Sequence, residues 1–266
     1  MTSMHGRDRS ASARRGCVVV TGAASGIGSQ VALDLAAGGW HVWCLDRDLE
    51  RLSETVARAR EVGVADPFTL DVADEAAVAS AFATVGDTCE GRLDGLVNSA
   101  GILVVGRFET LEVAQWEGAF RVNVIGSYLT IKHAIPLLRA ARPGRVVNLA
   151  SIAGKIPSAF TAPYNASKAA VISLTRSAAL ALAPDILVNS VCPGPVDTPM
   201  YEQMDAGLDA ADAPGELRFA RRSTLAPLGR AGTVAEISAV ILFLLSGAAD
   251  FITGEDVNVS GGMVMY

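Results

Sequence analysis

The sequence predicts an α/β fold, in which a doubly wound parallel sheet of about seven strands carries helices on both faces of a single Rossmann-like domain. From residue 17 onward, short apolar runs rich in β-branched residues alternate with longer helical segments. Strands that are apolar throughout indicate a parallel sheet, because both sides of each strand are then buried. The 266 residues are 50% hydrophobic and only 19% charged, which is typical of a globular enzyme with a sizeable core.

The predicted strands share Val, Ile, Leu and Cys side chains and are bounded by Gly, Asp, Asn or Ser. They are residues 17–21, 41–46, 67–71, the first part of 93–101, 144–151, 186–192 and 255–261. The intervening segments are rich in Ala, Leu, Glu and Arg, which favour helix. The predicted helices are residues 26–39, 48–63, 75–88, 114–139, 163–183 and 233–247. Pro163 is compatible with a helix start, because the first helical N–H has no partner within the helix.

Two segments fall outside this alternation. Residues 1–16 are polar and rich in Arg and Ser, and they are predicted to form a flexible tail that precedes the folded domain of residues 17–266. Residues 197–232 begin acidic and end with several arginines. Long irregular excursions of this kind are often functional, so residues 197–232 are predicted to form a lid.

Composition excludes several classes of function. The net charge of -6 offers no basic surplus for nucleic acid. The longest apolar run, residues 239–245, is too short to span a bilayer, so no membrane association is expected. The four cysteines (Cys17, Cys44, Cys89 and Cys192) form no CxxC motif. They predict neither a disulfide framework nor a metal site, and they favour a reducing, cytoplasmic location.

A glycine-rich stretch, TGAASGIG, follows the first predicted strand and opens the first predicted helix. Its glycines, Gly22, Gly26 and Gly28, allow the backbone to approach a pyrophosphate, and the helix N-terminus behind them favours an anion. A plain glycine-rich turn is the alternative. The position after the first strand favours dinucleotide binding.

The second predicted strand ends in Asp46, 18 residues beyond Gly28. A carboxylate there accepts hydrogen bonds from the adenosine ribose and repels the extra phosphate of NADP, which favours NAD. Arg47 is an opposing feature, since an arginine beside the ribose binds a phosphate well. The alternative is that Asp46 is only a turn residue.

Tyr164 and Lys168 are four residues apart in PYNASKAA and therefore share one face of the predicted helix. A phenol and an ammonium held together can move a proton, although an ordinary exposed pair has the same spacing.

Together, six motifs resemble those of the short-chain dehydrogenase/reductase family, and the resemblance covers nearly the whole chain after the tail. They are TGAASGIG, NSAG at 98–101, Asn123 in RVNVIG, Ser151 in NLASIAG, YNASK at 164–168 and PGPVDTP at 193–199. The resemblance implies that Tyr164 is the acid and base, that Lys168 stabilises its phenolate and binds the nicotinamide ribose, and that Ser151 polarises the substrate oxygen. It also implies that Asn123 holds a water in the proton path, whereas the residues alone allow an Asn satisfied by backbone.

The resemblance, with the glycine loop and Asp46, yields two sets of binding residues. The predicted NAD contacts are Gly22, Ser25, Gly26, Ile27, Gly28, Asp46, Arg47, Asp71, Val72, Asn98, Ala100, Gly101, Tyr164, Lys168, Pro193, Gly194, Val196 and Thr198. The predicted substrate contacts are Ser151, Ala153, Ile156, Tyr164, Pro195, Met200 and Met204. Apart from Ser151 and Tyr164 this substrate set is apolar, and the sequence indicates no arginine placed to bind an anionic substrate.

The expected reaction is hydride transfer between NAD(H) and a secondary alcohol or ketone, with a small polyol, diol or hydroxyketone favoured and no metal required. The C-terminal third resembles acetoin, butanediol and sugar-alcohol dehydrogenases of the family. An NADPH-dependent 3-oxoacyl-carrier-protein reductase is an alternative, and a non-catalytic dinucleotide-binding sensor is another. Apolar residues on more than one face of helices 114–139 and 163–183 predict a homo-oligomer, which the resemblance implies is a tetramer.

Overall fold

Within residues 15–266, the part of the chain that this computed structural model describes, seven parallel strands form one sheet in the order β3-β2-β1-β4-β5-β6-β7. The strands are β1 (Cys17–Thr21), β2 (His41–Asp46), β3 (Val64–Thr69), β4 (Gly95–Asn98), β5 (Gly144–Leu149), β6 (Ile186–Pro193) and β7 (Asp256–Val259). The predicted doubly wound sheet is therefore confirmed. Most of the predicted polar tail, residues 1–14, lies outside the described residues.

Helices cover both faces of this sheet. They are α1 (Gly26–Ala37), α2 (Leu49–Val62), α3 (Glu75–Thr88), α4 (Val113–Phe120), α5 (Ser127–Ala141), α6 (Ala162–Leu182), α7 (Pro199–Ala210), α8 (Phe219–Ser223) and α9 (Val234–Leu244). Helices α1, α2 and α9 bury apolar side chains on one face, and α3, α5 and α6 do so on the other. Successive residues of β1 point to opposite faces, with Val18 and Val20 in the first cluster and Val19 in the second.

The strand order reverses between β1 and β4, which are neighbours in the middle of the sheet. From β1 the chain adds β2 and β3 on one side, and from β4 it adds β5, β6 and β7 on the other. In open parallel sheets the crevice at such a reversal, beyond the carboxyl ends of the strands, is the usual ligand site. The described residues contain no helix that is both long enough and apolar enough to cross a membrane.

The structure corrects three boundaries. Strand β3 begins at Val64 rather than at Pro67, and it tolerates Pro67 because it is the edge strand of the sheet. The predicted helix 114–139 is divided by a π-helical turn at Arg121–Gly126. The predicted lid, residues 197–232, contains the two helices α7 and α8.

The prediction that no cysteines pair is wrong. Cys17 and Cys89 form a disulfide, with their Cα atoms 6.3 Å apart. The two cysteines are 72 residues apart in sequence. They meet because α3 ends shortly before β4, and β4 begins beside the amino-terminal end of β1. Cys44 and Cys192 are free and buried, as the apolar runs around them predict.

Candidate active site

A cavity lies at the carboxyl ends of the central strands and extends to the lid helix α7. Most of the predicted site residues line it. From the glycine loop to the lid these are Gly22, Ser25, Gly26, Ile27, Asp46, Arg47, Asp71, Val72, Ala100, Gly101, Ser151, Ala153, Ile156, Tyr164, Lys168, Pro193, Gly194, Val196, Thr198, Met200 and Met204. Four predicted residues, Gly28, Asn98, Asn123 and Pro195, lie outside its wall.

The glycine loop leaves the first turn of α1 open to an anion. Ser25 caps α1 without a side-chain hydrogen bond, and no acidic residue lies in the first turn of this helix. The first N–H groups of α1 are therefore free of side-chain acceptors and carry the positive end of the helix dipole.

Two glycines of this loop are required by close packing. Gly22 has a φ of +67°, and a Cβ there would lie 2.6 Å from the Ala100 nitrogen. A Cβ on Gly28 would lie 2.2 Å from the Gly22 carbonyl oxygen. Gly28 therefore allows the close contact of helix α1 with the loop, and its predicted contact with the cofactor stays a prediction.

Asp46 has two roles in the structure. Its Oδ2 accepts a hydrogen bond from Ala24 N (3.1 Å), and its Oδ1 accepts one from Asp48 N (3.0 Å), so it fixes the glycine loop as a turn residue would. The same carboxylate lines the cavity and retains further lone pairs for a ribose hydroxyl. Arg47 and Arg51 line the same end, so two cations oppose the negative charge that favours NAD.

Asn98 is buried and bonds to its structural neighbours. Its Nδ2 donates to Asn148 Oδ1 (2.9 Å), and its Oδ1 accepts from Thr130 Oγ1 (2.7 Å). These bonds join β4 to β5 and α5, and the predicted cofactor contact of Asn98 stays a prediction.

Tyr164 and Lys168 lie side by side on α6, as their spacing predicts. Lys168 Nζ is 5.7 Å from the centre of the Tyr164 ring and donates to Leu149 O (2.6 Å). Burial lowers the pKa of Lys168 to about 8. Burial raises the pKa of Tyr164 above its usual value, while Ser151 and the charge of Arg222 act in the opposite direction. An unaided Tyr164 is thus a poor base, and it needs positive charge nearby to ionise.

Ser151 lies two residues beyond the end of β5 and lines the cavity beside Tyr164 of α6. Its Oγ accepts a hydrogen bond from Ala153 N (3.1 Å), which starts the short helical turn Ile152–Gly154. A hydroxyl that accepts from backbone still has its proton to donate to a substrate oxygen.

Asn123 lies in the π-helical turn with its side chain fully buried. Its Oδ1 accepts from Ile102 N (2.8 Å), while its Nδ2 donates to Ile102 O (3.0 Å) and to Ser167 Oγ (2.9 Å). The backbone-satisfied alternative thus describes its bonds within the described chain. A Cβ on Gly101 would lie 3.2 Å from Asn123 Oδ1 and 3.5 Å from Lys168 Nζ, so these two groups flank the same glycine.

The lid contributes residues that the predicted substrate set omits. Tyr201, Gln203 and Arg222 line the cavity beside Met200 and Met204. Pro195 does not line the cavity, whereas Arg222 does, so one lid arginine reaches the cavity although the sequence indicates no arginine placed for an anionic substrate. The four lid arginines are visible in the sequence, but only the position of α8 shows that Arg222 is the one that lines the cavity.

Comparison with known proteins gives consistent matches over the whole described domain. The family model described as enoyl-(acyl carrier protein) reductase matches residues 22–264. Cyclopentanol dehydrogenase of Comamonas sp. (strain NCIMB 9872) is 38% identical over 247 residues, which cover 92% of this chain and 95% of that protein.

Two solved structures share the fold closely. NAD+-bound xylitol dehydrogenase is 31% identical and aligns with a TM-score of 0.87 over 94% of this chain and 99% of its own. An actinorhodin polyketide ketoreductase variant with NADPH is 33% identical and aligns with a TM-score of 0.87 over 94% and 98% of the two chains. Proteins similar to this chain thus include one bound to NAD+ and one bound to NADPH.

Proposed function

This chain belongs to the short-chain dehydrogenase/reductase family, and we propose that it transfers a hydride between NAD(H) and a small secondary alcohol or ketone, with Tyr164 as acid and base. It is an oxidoreductase that acts on CH–OH groups, as its relatives are. The observation that carries the proposal is the cavity shared by Tyr164, Ser151 and Lys168 at one end and by the glycine loop and Asp46 at the other.

The residues around the cavity fit a nicotinamide dinucleotide. The open first turn of α1 suits the pyrophosphate, and Asp46 suits the adenosine ribose. Lys168, which lines the cavity, suits the second ribose. The bound nicotinamide supplies the hydride acceptor or donor at this site.

In the oxidation direction, Tyr164 takes the proton of the substrate hydroxyl as the adjoining C–H bond breaks. Ser151 donates a hydrogen bond to the same oxygen and orients it. Lys168 supplies the positive charge that favours the phenolate, since a pKa of about 8 leaves it mostly protonated at neutral pH. In reduction the same groups act in reverse, and Tyr164 gives its proton to the carbonyl oxygen.

Preference for NAD over NADP follows from Asp46. A carboxylate at the ribose repels a 2′-phosphate, while Arg47 and Arg51 attract it from the exposed side of the cavity. We assign the stronger influence to Asp46, because it is fixed by two backbone hydrogen bonds and Arg47 is exposed. The bound NAD+ in xylitol dehydrogenase supports this preference, and the bound NADPH in the ketoreductase opposes it.

The direct experiment is cofactor reduction over a panel of secondary alcohols, diols, polyols and cyclic alcohols, with NAD and NADP run in parallel. The proposal predicts turnover of secondary alcohols with NAD preferred. A protein that binds NAD but oxidises or reduces nothing in the panel would favour the sensor alternative.

A 3-oxoacyl-carrier-protein reductase is the second candidate, because the matching family model is named for a carrier-protein substrate and one similar solved structure is a ketoreductase. Carrier proteins are acidic and need basic docking residues at the ends of α5 and α6. Arg139 at the end of α5 instead lies 3.9 Å from Asp185, just beyond α6, which offsets its charge. Faster NADPH-dependent reduction of an acetoacetyl carrier protein than of any free ketone would establish this candidate instead.

Assembly into a homotetramer completes the proposal. Apolar side chains remain exposed on the helices that carry the site, including Ile125 in the π-helical turn, Tyr128 on α5 and Leu180 on α6. A two-fold axis that pairs these helices with their copies would bury them on both subunits at once. We predict that Tyr128→Glu with Leu180→Glu lowers the mass measured by light scattering, whereas Phe251→Glu, an exposed apolar control elsewhere, does not. A stable, fully active wild-type monomer at micromolar concentration would refute the assembly.

The C-terminus has an additional role within the subunit. Val264 is buried against Ile172 and Cys192, while the Tyr266 carbonyl accepts from Lys155 Nζ and Asn258 Nδ2, both at 3.1 Å. Loss of Met263 to Tyr266 would therefore damage the subunit as well as any contact between subunits.

A further inference from the structure

Arg222 is a cation at the substrate end of the cavity that the reaction described above does not use. It lies on the short helix α8, is half-buried, and lines the same cavity as Tyr164 and Ser151. Its neighbour Arg221 is exposed and does not line the cavity. The two adjacent arginines therefore differ in which way they face.

Contacts between α7 and α8 fix this orientation. The rings of Tyr201 and Phe219 lie 4.6 Å apart, and Phe219 N donates to Asp205 Oδ1 (3.0 Å). Arg218 forms an ion pair with Asp209 of α7. These three contacts, spread along α7, hold the start of α8 against it, which keeps Arg222 at the cavity.

Arg222 has no carboxylate partner within 4.0 Å among residues 15–266, whereas Arg218 and Arg230 each have one. Asp205, whose charge also reaches Tyr201, accepts from the Phe219 backbone and forms no ion pair with Arg222. Burial of a cation is unfavourable without a counter-charge, so a half-buried, unpaired guanidinium in a ligand cavity is ready for an anion.

The carboxylates of the cavity are all at its other end. Asp46, Asp48 and Asp71 follow β2 and β3, beside the proposed ribose and adenine positions. Arg222, in contrast, lies on α8 three residues after Phe219, whose ring packs against Tyr201 on the substrate side of the cavity. Among the described residues of the cavity wall, no carboxylate at the substrate end neutralises this positive charge.

We propose, on the basis of the function proposed above, that the substrate is a secondary alcohol or ketone that also carries an anionic group, and that Arg222 binds this group. A carboxylate or a sulfonate a few bonds from the hydroxyl-bearing carbon fits this chemistry. The planar guanidinium binds either of them with two hydrogen bonds. Gln203 and the Tyr201 hydroxyl, on the same wall, are further donors for its oxygens.

The first test compares hydroxy acids with neutral diols of the same carbon chain. 3-Hydroxybutyrate, 4-hydroxypentanoate and 5-hydroxyhexanoate are paired with 1,3-butanediol, 1,4-pentanediol and 1,5-hexanediol, and the cofactor is NAD. The wild-type protein is expected to prefer the acid in at least one pair. Arg222→Gln should lower kcat/KM for that acid by roughly 10- to 100-fold, mainly through KM, and should change the diol by less than about threefold.

Two variants control the result. Arg221→Gln removes an adjacent charge and is expected to leave both members of each pair unchanged. Arg222→Lys keeps the charge and should recover part of the preference for the acid. Equal losses for acid and diol in Arg222→Gln would overturn the proposal, since they would mean that Arg222 acts only through Tyr164.

The outcomes separate this inference from the function on which it rests. Turnover of the diols with no dependence of the acid on Arg222 overturns the inference and leaves the proposed function intact. If neither class is oxidised, binding decides: calorimetry on the NAD+-loaded protein compares acetoacetate with 4-hydroxy-2-butanone. Tighter binding of acetoacetate that is lost in Arg222→Gln supports the anion site, and equal binding refutes it.

Discussion

Lys168 is predicted to make the protein's stability depend on pH in a defined way. Its pKa is lowered by burial from an ordinary 10.5 to about 8 in the folded chain. A lysine with a lowered pKa binds fewer protons folded than unfolded between those two values, so the stability of the fold rises with pH across that window. Below pH 8 the buried ammonium destabilises the fold.

The size of this effect follows from the same two values. A difference of 2.5 units corresponds to about 3 kcal/mol when the ammonium is present in both states. By pH 10 most of this penalty is gone, so the free energy of unfolding gains about 2–3 kcal/mol from Lys168 between pH 7 and pH 10. Other groups titrate in this range as well, and the prediction therefore concerns a difference between two proteins.

The assay is urea unfolding of the wild type and of Lys168→Met at pH 7, 8, 9 and 10, without cofactor. Lys168→Met removes the titrating group and keeps a side chain of similar length. The wild type should gain about 2–3 kcal/mol relative to Lys168→Met from pH 7 to pH 10. Parallel stability curves for the two proteins would refute the reasoning, because they would mean that Lys168 is solvated in the folded state.

Two further predictions concern the cofactor and the disulfide. Asp46→Ser should raise the ratio of activity with NADP to activity with NAD by at least about fivefold, since two unit charges 4 Å apart repel by about 1 kcal/mol even in water. Arg51→Gln should lower this ratio. No change of the ratio in either variant would show that Asp46 and Arg51 do not determine the choice of cofactor. Reduction of the Cys17–Cys89 disulfide should lower the free energy of unfolding by about 4 kcal/mol, the chain-entropy value for a loop of 72 residues. Cys89→Ser should be as stable as the reduced wild type. If a reductant leaves the urea midpoint of the wild type unchanged, the disulfide does not stabilise the fold.

Local sequence patterns predict the sheet and the glycine loop well because each depends on neighbouring residues. The run CVVVT is β1 and EAAVASAFATVGDT is α3, with the bounds that their composition predicts. The central strands can be recognised in the sequence as short apolar runs, since a strand buried on both faces has few polar positions. The four-residue spacing of Tyr164 and Lys168 likewise predicts that they share one face of α6, as they do in the structure.

Features that depend on distant residues could not be predicted in the same way. Cys17 and Cys89 are brought together because β1 and β4 begin side by side and α3 ends shortly before β4. Arg222 is turned toward the cavity by contacts of α8 with α7. The π-helical turn at Arg121–Gly126 follows no proline or glycine signal at its start, and it orients Asn123 toward Ile102 and Ser167. Asn98 lies in a motif that resembles a cofactor contact, but its bonds are set by β5 and α5.

The central claim is that Tyr164 moves the proton, and Tyr164→Phe tests it most directly. Steady-state turnover of the best secondary alcohol is measured beside NAD+ binding by calorimetry, with Tyr128→Phe as a control that loses a phenol from the exposed surface of α5, outside the cavity wall. We predict that Tyr164→Phe loses about 10²–10⁴-fold in kcat. The affinity of this variant for NAD+ should stay within about twofold, since only the ionisable oxygen is removed, and Tyr128→Phe should remain fully active. Near-wild-type turnover in Tyr164→Phe would contradict the account.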